Sequence, residues 1–110
     1  MTDIDKETKN KISRLQMLEQ RLQSLVMQKQ TFQSQILESD NALGEIKDSK
    51  ETYKIIGSVM VSVDKEDLEK DLTSKREMAE IKVKNLEKEE NKLREEAEAL
   101  QKEVMGTLGK

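Results

Sequence analysis

The chain has no cysteine, no histidine, no proline and no tryptophan, and its aromatic residues amount to one Phe and one Tyr. Each absence excludes something. Without Cys there is no disulfide framework, and without Cys or His the common metal clusters, nucleophilic triads and imidazole acid–base pairs cannot be built. The four glycines, Gly44, Gly57, Gly106 and Gly109, are scattered, so no glycine-rich phosphate loop exists. With so few large side chains, a compact three-dimensional core has little to fill it. No apolar run is long enough for a signal peptide or a membrane-spanning helix. The sequence therefore predicts no enzyme, no cofactor, no metal, no membrane partner and, by default, a cytoplasmic location.

What is present is charge. Charged residues make up 39% of the 110, in nearly balanced numbers (20 basic, 23 acidic), and they are interspersed. No basic stripe stands out, which argues against nucleic acid. Adjacent carboxylates such as Glu89/Glu90 and Glu95/Glu96 read as a solvated helix face, since nothing apolar surrounds them to perturb their acidity. A hydrophobic content of 34% is low for a globule but ordinary for a coiled coil, in which about two positions in seven are buried. The lack of proline suits long unbroken helices.

The apolar residues carry a seven-residue repeat. From about residue 4 to 47, one seam position holds Leu15, Leu22, Lys29, Ile36 and Leu43, and the other holds Leu18, Leu25, Phe32, Ser39 and Ile46. Lys29 interrupts the seam, either setting helix register or extending its charge into water. Acidic Asp3, Asp5 and Glu7 sit where a helix dipole favours them. From about 64 to 108, Leu72, Ala79, Leu86, Leu93 and Leu100 recur every seven residues, opposite a weaker row of Arg76, Val83, Glu90, Ala97 and Val104. Arg76 and Glu90 predict a loose or locally solvated seam. Asp64 followed by Asp67 resembles a capping box. Two helices of nearly equal length, each spanning on the order of 65 Å, predict one antiparallel coiled-coil hairpin forming a single domain over 1–110.

The middle breaks this pattern. Thr52–Ile56 and Val59–Val63 are β-branched, aromatic and almost uncharged, and they flank Gly57-Ser58, so residues 52–63 predict a β-hairpin. A two-residue turn would pair Ile55 with Met60 and leave Tyr53 facing Ser62. A three-residue loop would gather Tyr53, Ile55, Val61 and Val63 on one apolar face, and that register is the favoured expectation. An isolated two-stranded hairpin is marginal in water, so these strands predict assembly through their edges.

Three stretches, Leu25–Gln30, Ala42–Ile46 and above all Tyr53-Lys54-Ile55-Ile56-Gly57-Ser58-Val59-Met60-Val61, resemble the β-type subunits of the prefoldin family. The layout matches over nearly the whole chain, and its brevity resembles an archaeal or the simplest eukaryotic β-type subunit. The resemblance implies a mainly α fold whose β-hairpin, at the closed end, joins an intersubunit β-barrel. It further implies a hexamer with α-type subunits, two α and four β, acting as an ATP-independent chaperone. Unfolded proteins would be held at the coiled-coil tips and passed to a group II chaperonin. Candidate client residues are Ile4, Ile12, Val104, Met105 and Leu108, with Lys102, Glu103 and Lys110 as weaker candidates for chaperonin contact. Candidate assembly residues are Tyr53, Ile55, Ile56, Gly57, Val59, Val61 and Val63. The competing expectation is a structural adaptor that docks on a larger complex through its hairpin. An RNA-gripping helical arm is a third, disfavoured by the interspersed charge.

Overall fold

A computed structural model describes residues 5–108. Helix α1 (Lys6–Ile46) leads into strands β1 (Thr52–Ile56) and β2 (Val59–Val63), and helix α2 (Lys65–Leu108) follows. Their contacts gather into two compact units. One joins the start of α1, as far as Lys29, to the end of α2 from Asn85 onward, and the other is Gln30–Lys84.

In the first unit the helices run antiparallel. Arg14 pairs with Glu96, its Nε donating at 2.9 Å, Arg21 Nη2 donates to Glu89 at 2.5 Å, and Lys11 Nζ lies 3.3 Å from Glu103. Leu18, Leu25 and Val104 are buried in the seam, and Leu15, Leu22, Leu86, Leu93 and Leu100 are half-buried. The carboxylates of Glu89 and Glu96 thus serve as cross-helix partners rather than as an idle solvated face.

The expected solvated layer at Glu90 is not found. Glu90 is only 4% exposed, and one carboxylate oxygen lies 3.1 Å from Lys29 Nζ while the other lies 3.3 Å from Arg94. The polar interruption of one seam therefore meets that of the other. A charge taken out of water must be matched, and Lys29 supplies the match. Lys29 points into the seam instead of extending past it.

At the start of α1, Asp5 is the cap: its Oδ1 accepts from the Thr8 amide at 2.7 Å. That bond, with a smaller contribution from Lys11, holds the Asp5 carboxyl below its ordinary acidity range. Met1–Ile4 fall outside the described residues, as do Gly109 and Lys110, so the expectations for Ile4 and Lys110 meet no structure.

In the second unit Ala79 and Ser39 are buried, with Phe32, Ile36, Leu43, Ile46 and Leu72 half-buried around them. Arg76, half-buried on the seam, bonds to Asp40 across the pair and to Glu80 one turn on, so it too is partnered rather than left to water. Helix α2 is capped by Asp64, whose Oδ1 accepts from the Glu66 amide at 3.2 Å. Asp67, one residue further on, does not take that bond. Lys65 reaches the Lys47 carbonyl just beyond the end of α1. Together these contacts place the hairpin at the closed end of the helix pair.

The strands pair antiparallel in the register Thr52↔Val63, Tyr53↔Ser62, Lys54↔Val61, Ile55↔Met60 and Ile56↔Val59. This is the two-residue turn, and it corrects the three-residue expectation. Gly57 has φ +63° and no other described residue has a positive φ, the pattern of a type II′ turn, whose twist suits a tight hairpin. Seeking one coherent apolar face misled the expectation because both faces of this hairpin are apolar.

Candidate assembly and client surfaces

Two surfaces expose apolar side chains that no other described residue covers. The first is the hairpin. Opposed residues share a face, so Ile55, Met60, Tyr53 and Ser62 lie on one side, and Ile56, Val59, Lys54, Val61, Thr52 and Val63 lie on the other. The second face leans on the start of α2. Val63 is half-buried, Lys54 Nζ lies 4.0 Å from Asp71, and buried Thr52 donates its hydroxyl to the Val63 carbonyl at 2.8 Å. Towards the turn this support ends. Ile55 is 70% exposed, and Ile56, Val59 and Met60 are exposed as well.

Tyr53 is exposed and donates its hydroxyl to Glu51 at 2.6 Å. Because that bond favours the neutral phenol, the Tyr53 pKa is raised above its ordinary value. The sheet has two strands, so each strand keeps one edge without a ladder partner. An apolar, sparsely charged, unpaired edge is what β-augmentation uses.

The second surface lies at the end of α2, in the other unit. Met105 is 64% exposed and Leu108 is 53% exposed. Val104 is buried, which puts it in the seam, and Ile12 is half-buried. The two exposed residues therefore stand apart from Val104 and Ile12 in what they offer a partner. Glu103 is held by Lys11, a bond that raises the Lys11 pKa. Lys102 is exposed.

Among the described residues, no group of three or more His, Cys, Asp or Glu side chains could hold a metal. Nor is any described helix long and apolar enough to cross a membrane. The arrangement offers binding surfaces, and they define a helix-pair protein with an exposed β-hairpin.

The family follows from comparison with known proteins. A model of the family described as "Prefoldin subunit" matches residues 9–110, and the chain belongs to the prefoldin family. It is 32% identical to the prefoldin subunit beta of Archaeoglobus fulgidus over 111 residues, covering 98% of this chain and 96% of that one. It is 33% identical to the prefoldin subunit beta of Sulfurisphaera tokodaii, covering 97% and 88%. Among solved structures, the crystal structure of the prefoldin beta subunit from Thermococcus strain KS-1 matches with a TM-score of 0.88 at 30% identity, over 98% of this chain and 97% of that one. The family is one of chaperone subunits rather than enzymes, and assembly with other prefoldin subunits is the setting in which both surfaces must be understood.

Proposed function

We propose that this chain is the β-type subunit of a cytoplasmic heterohexamer, two α-type and four β-type, that captures unfolded proteins without ATP and delivers them to a group II chaperonin. In this reading the hairpins join edge to edge into a shared β-barrel, with Tyr53, Ile55, Ile56, Gly57, Val59, Val61 and Val63 at its joints. The tips of the helix pair hold the client. Met105 and Leu108 do most of this work, with Ile4 and Ile12 as further client residues, and Val104 acts chiefly by closing the seam.

The observation that carries the reading is the separation of two exposed apolar surfaces by type. One is strand, ordered by ladder hydrogen bonds and suited to a fixed mate. The other is a helix end bearing a flexible, polarizable Met, suited to partners of varied shape.

The test is co-expression with an α-type subunit from the same source. The expected result is an assembly with the mass of the heterohexamer that suppresses aggregation of a denatured client without nucleotide and passes it to a group II chaperonin. A discrete dimer with no effect on aggregation would instead establish the adaptor that docks through its hairpin.

A further inference from the structure

Within Gln30–Lys84, the helix pair has a gap in its seam. Ser39 and Ala79, both buried, line it, and Ala42 adds a third small side chain. Small residues at seam positions leave space that Leu or Ile would fill. The result is an open groove of about 580 Å³, with Phe32, Leu72, Ala42, Ala79 and the exposed Met78 providing its apolar lining.

The groove's rim is charged unevenly. Lys75 and Lys82 line it, against Glu38 as the one carboxylate. Among the described residues neither lysine is in an ion pair, although most basic side chains facing a seam here are. Lys82 instead sits 5.3 Å from the centroid of the Phe32 ring, a weak cation–π contact that a carboxylate would readily outcompete. An apolar floor, a flexible Met and two cations without a carboxylate partner complement an amphipathic helical segment with acidic residues along its flank.

We propose that this groove is a second client-binding site, which takes a helical client segment whose apolar face is bordered by Asp or Glu. The proposal rests on the chaperone reading for the source of the segment, but not on the tips: no groove residue belongs to the unit that carries Met105 and Leu108. The apolar face lies over Phe32, Ala42, Leu72 and Met78, and the acidic flank meets Lys75 and Lys82. A client emerging with such a segment would be held with part of its chain already helical.

The test uses the assembled complex and two fluorescein-labelled helical peptides with the same Leu/Phe face, one flanked by Glu and one by Lys. Binding is read by anisotropy at low salt. The Glu peptide is expected to bind about tenfold more tightly, as two partly screened ion pairs supply. K75E/K82E should invert the preference and K75Q/K82Q should abolish it, each also in an M105S/L108S background that removes binding at the tips. Equal affinity for both peptides, no binding, or a preference that follows the tip variant would overturn the proposal. So would a change in assembly mass on filling the groove with A42L, which would show a second copy seated there. Peptide binding is measured without any client, so a complex that binds the Glu peptide yet fails to suppress aggregation would sink the chaperone reading and keep the groove.

Discussion

Leu18, Leu25 and Ala79 on the helices are buried by the chain itself, whereas Ile55, Ile56, Val59 and Met60 on the strands remain exposed. The helices are mostly polar, and each hides its thin apolar stripe on the other. The strands are apolar on both faces, and nothing among the described residues covers them fully. A sequence that placed its densest apolar segment where it cannot be internally buried is specifying an assembly. The charged residues make the same distinction: ion pairs staple the helices through Lys11, Arg14, Arg21, Lys29 and Arg76, while the strands carry only Lys54.

That contrast breaks in different places under different substitutions. The largest effect is expected from I55K/M60K, which charges one hairpin face. Assembly with partner subunits should be lost in native mass spectrometry while far-ultraviolet circular dichroism still reports the helices. Next comes Glu90→Ala, which leaves Lys29 half-buried without its partner, at a cost of about 3 kcal/mol by urea titration, the lower end of the range for broken buried pairs. K29L/E90L should be neutral or stabilising, and the two single changes should be strongly non-additive. A similar cost from the double change would mean the layer is needed for more than matching charge.

Gly57→Ala places a Cβ on a backbone at φ +63°, so a loss of about 1–2 kcal/mol is expected, showing up as weaker assembly. Gly44→Ala has the opposite sign. An added Cβ there meets nothing within 4 Å, and helix propensity predicts a gain of roughly 0.5–1 kcal/mol in thermal unfolding.

The smallest effect is a pH dependence at the start of α1. The folded Asp5 carboxyl is more acidic than the unfolded one. Its stabilisation is therefore complete above the ordinary carboxylate pKa and is lost as pH falls through the depressed value. The Thr8 amide resonance should shift over that acidic window, and Asp5→Asn, which still caps, should remove the titration.

The seam was legible because the heptad repeat needs only apolar spacing: Leu15, Leu18, Leu22, Leu25, Leu86 and Leu93 declare it residue by residue. Glu90 was not, because periodicity treats a polar residue on the seam as a weak point. Its burial follows from aligning two interruptions, Lys29 and Glu90, across an antiparallel pair. The turn was misjudged for a related reason. An alternation argument assumes one face meets water, while Gly57 at the first central position of a two-residue loop carried the better signal. The tips were legible as positions, and the seam repeat, which includes Val104 but not Met105, already separated the buried residue from the exposed one. The groove escaped notice because Ser39, Ala42 and Ala79 are conspicuous only for what they do not fill.

The central claim is that assembly and client capture are carried by separate surfaces, the strands and the helix ends. The most direct measurement is ATP-free suppression of aggregation by the assembled complex, wild type against M105S/L108S, with native mass measured on the same samples. The account predicts unchanged mass and markedly weaker suppression. Unchanged suppression at unchanged mass would contradict it.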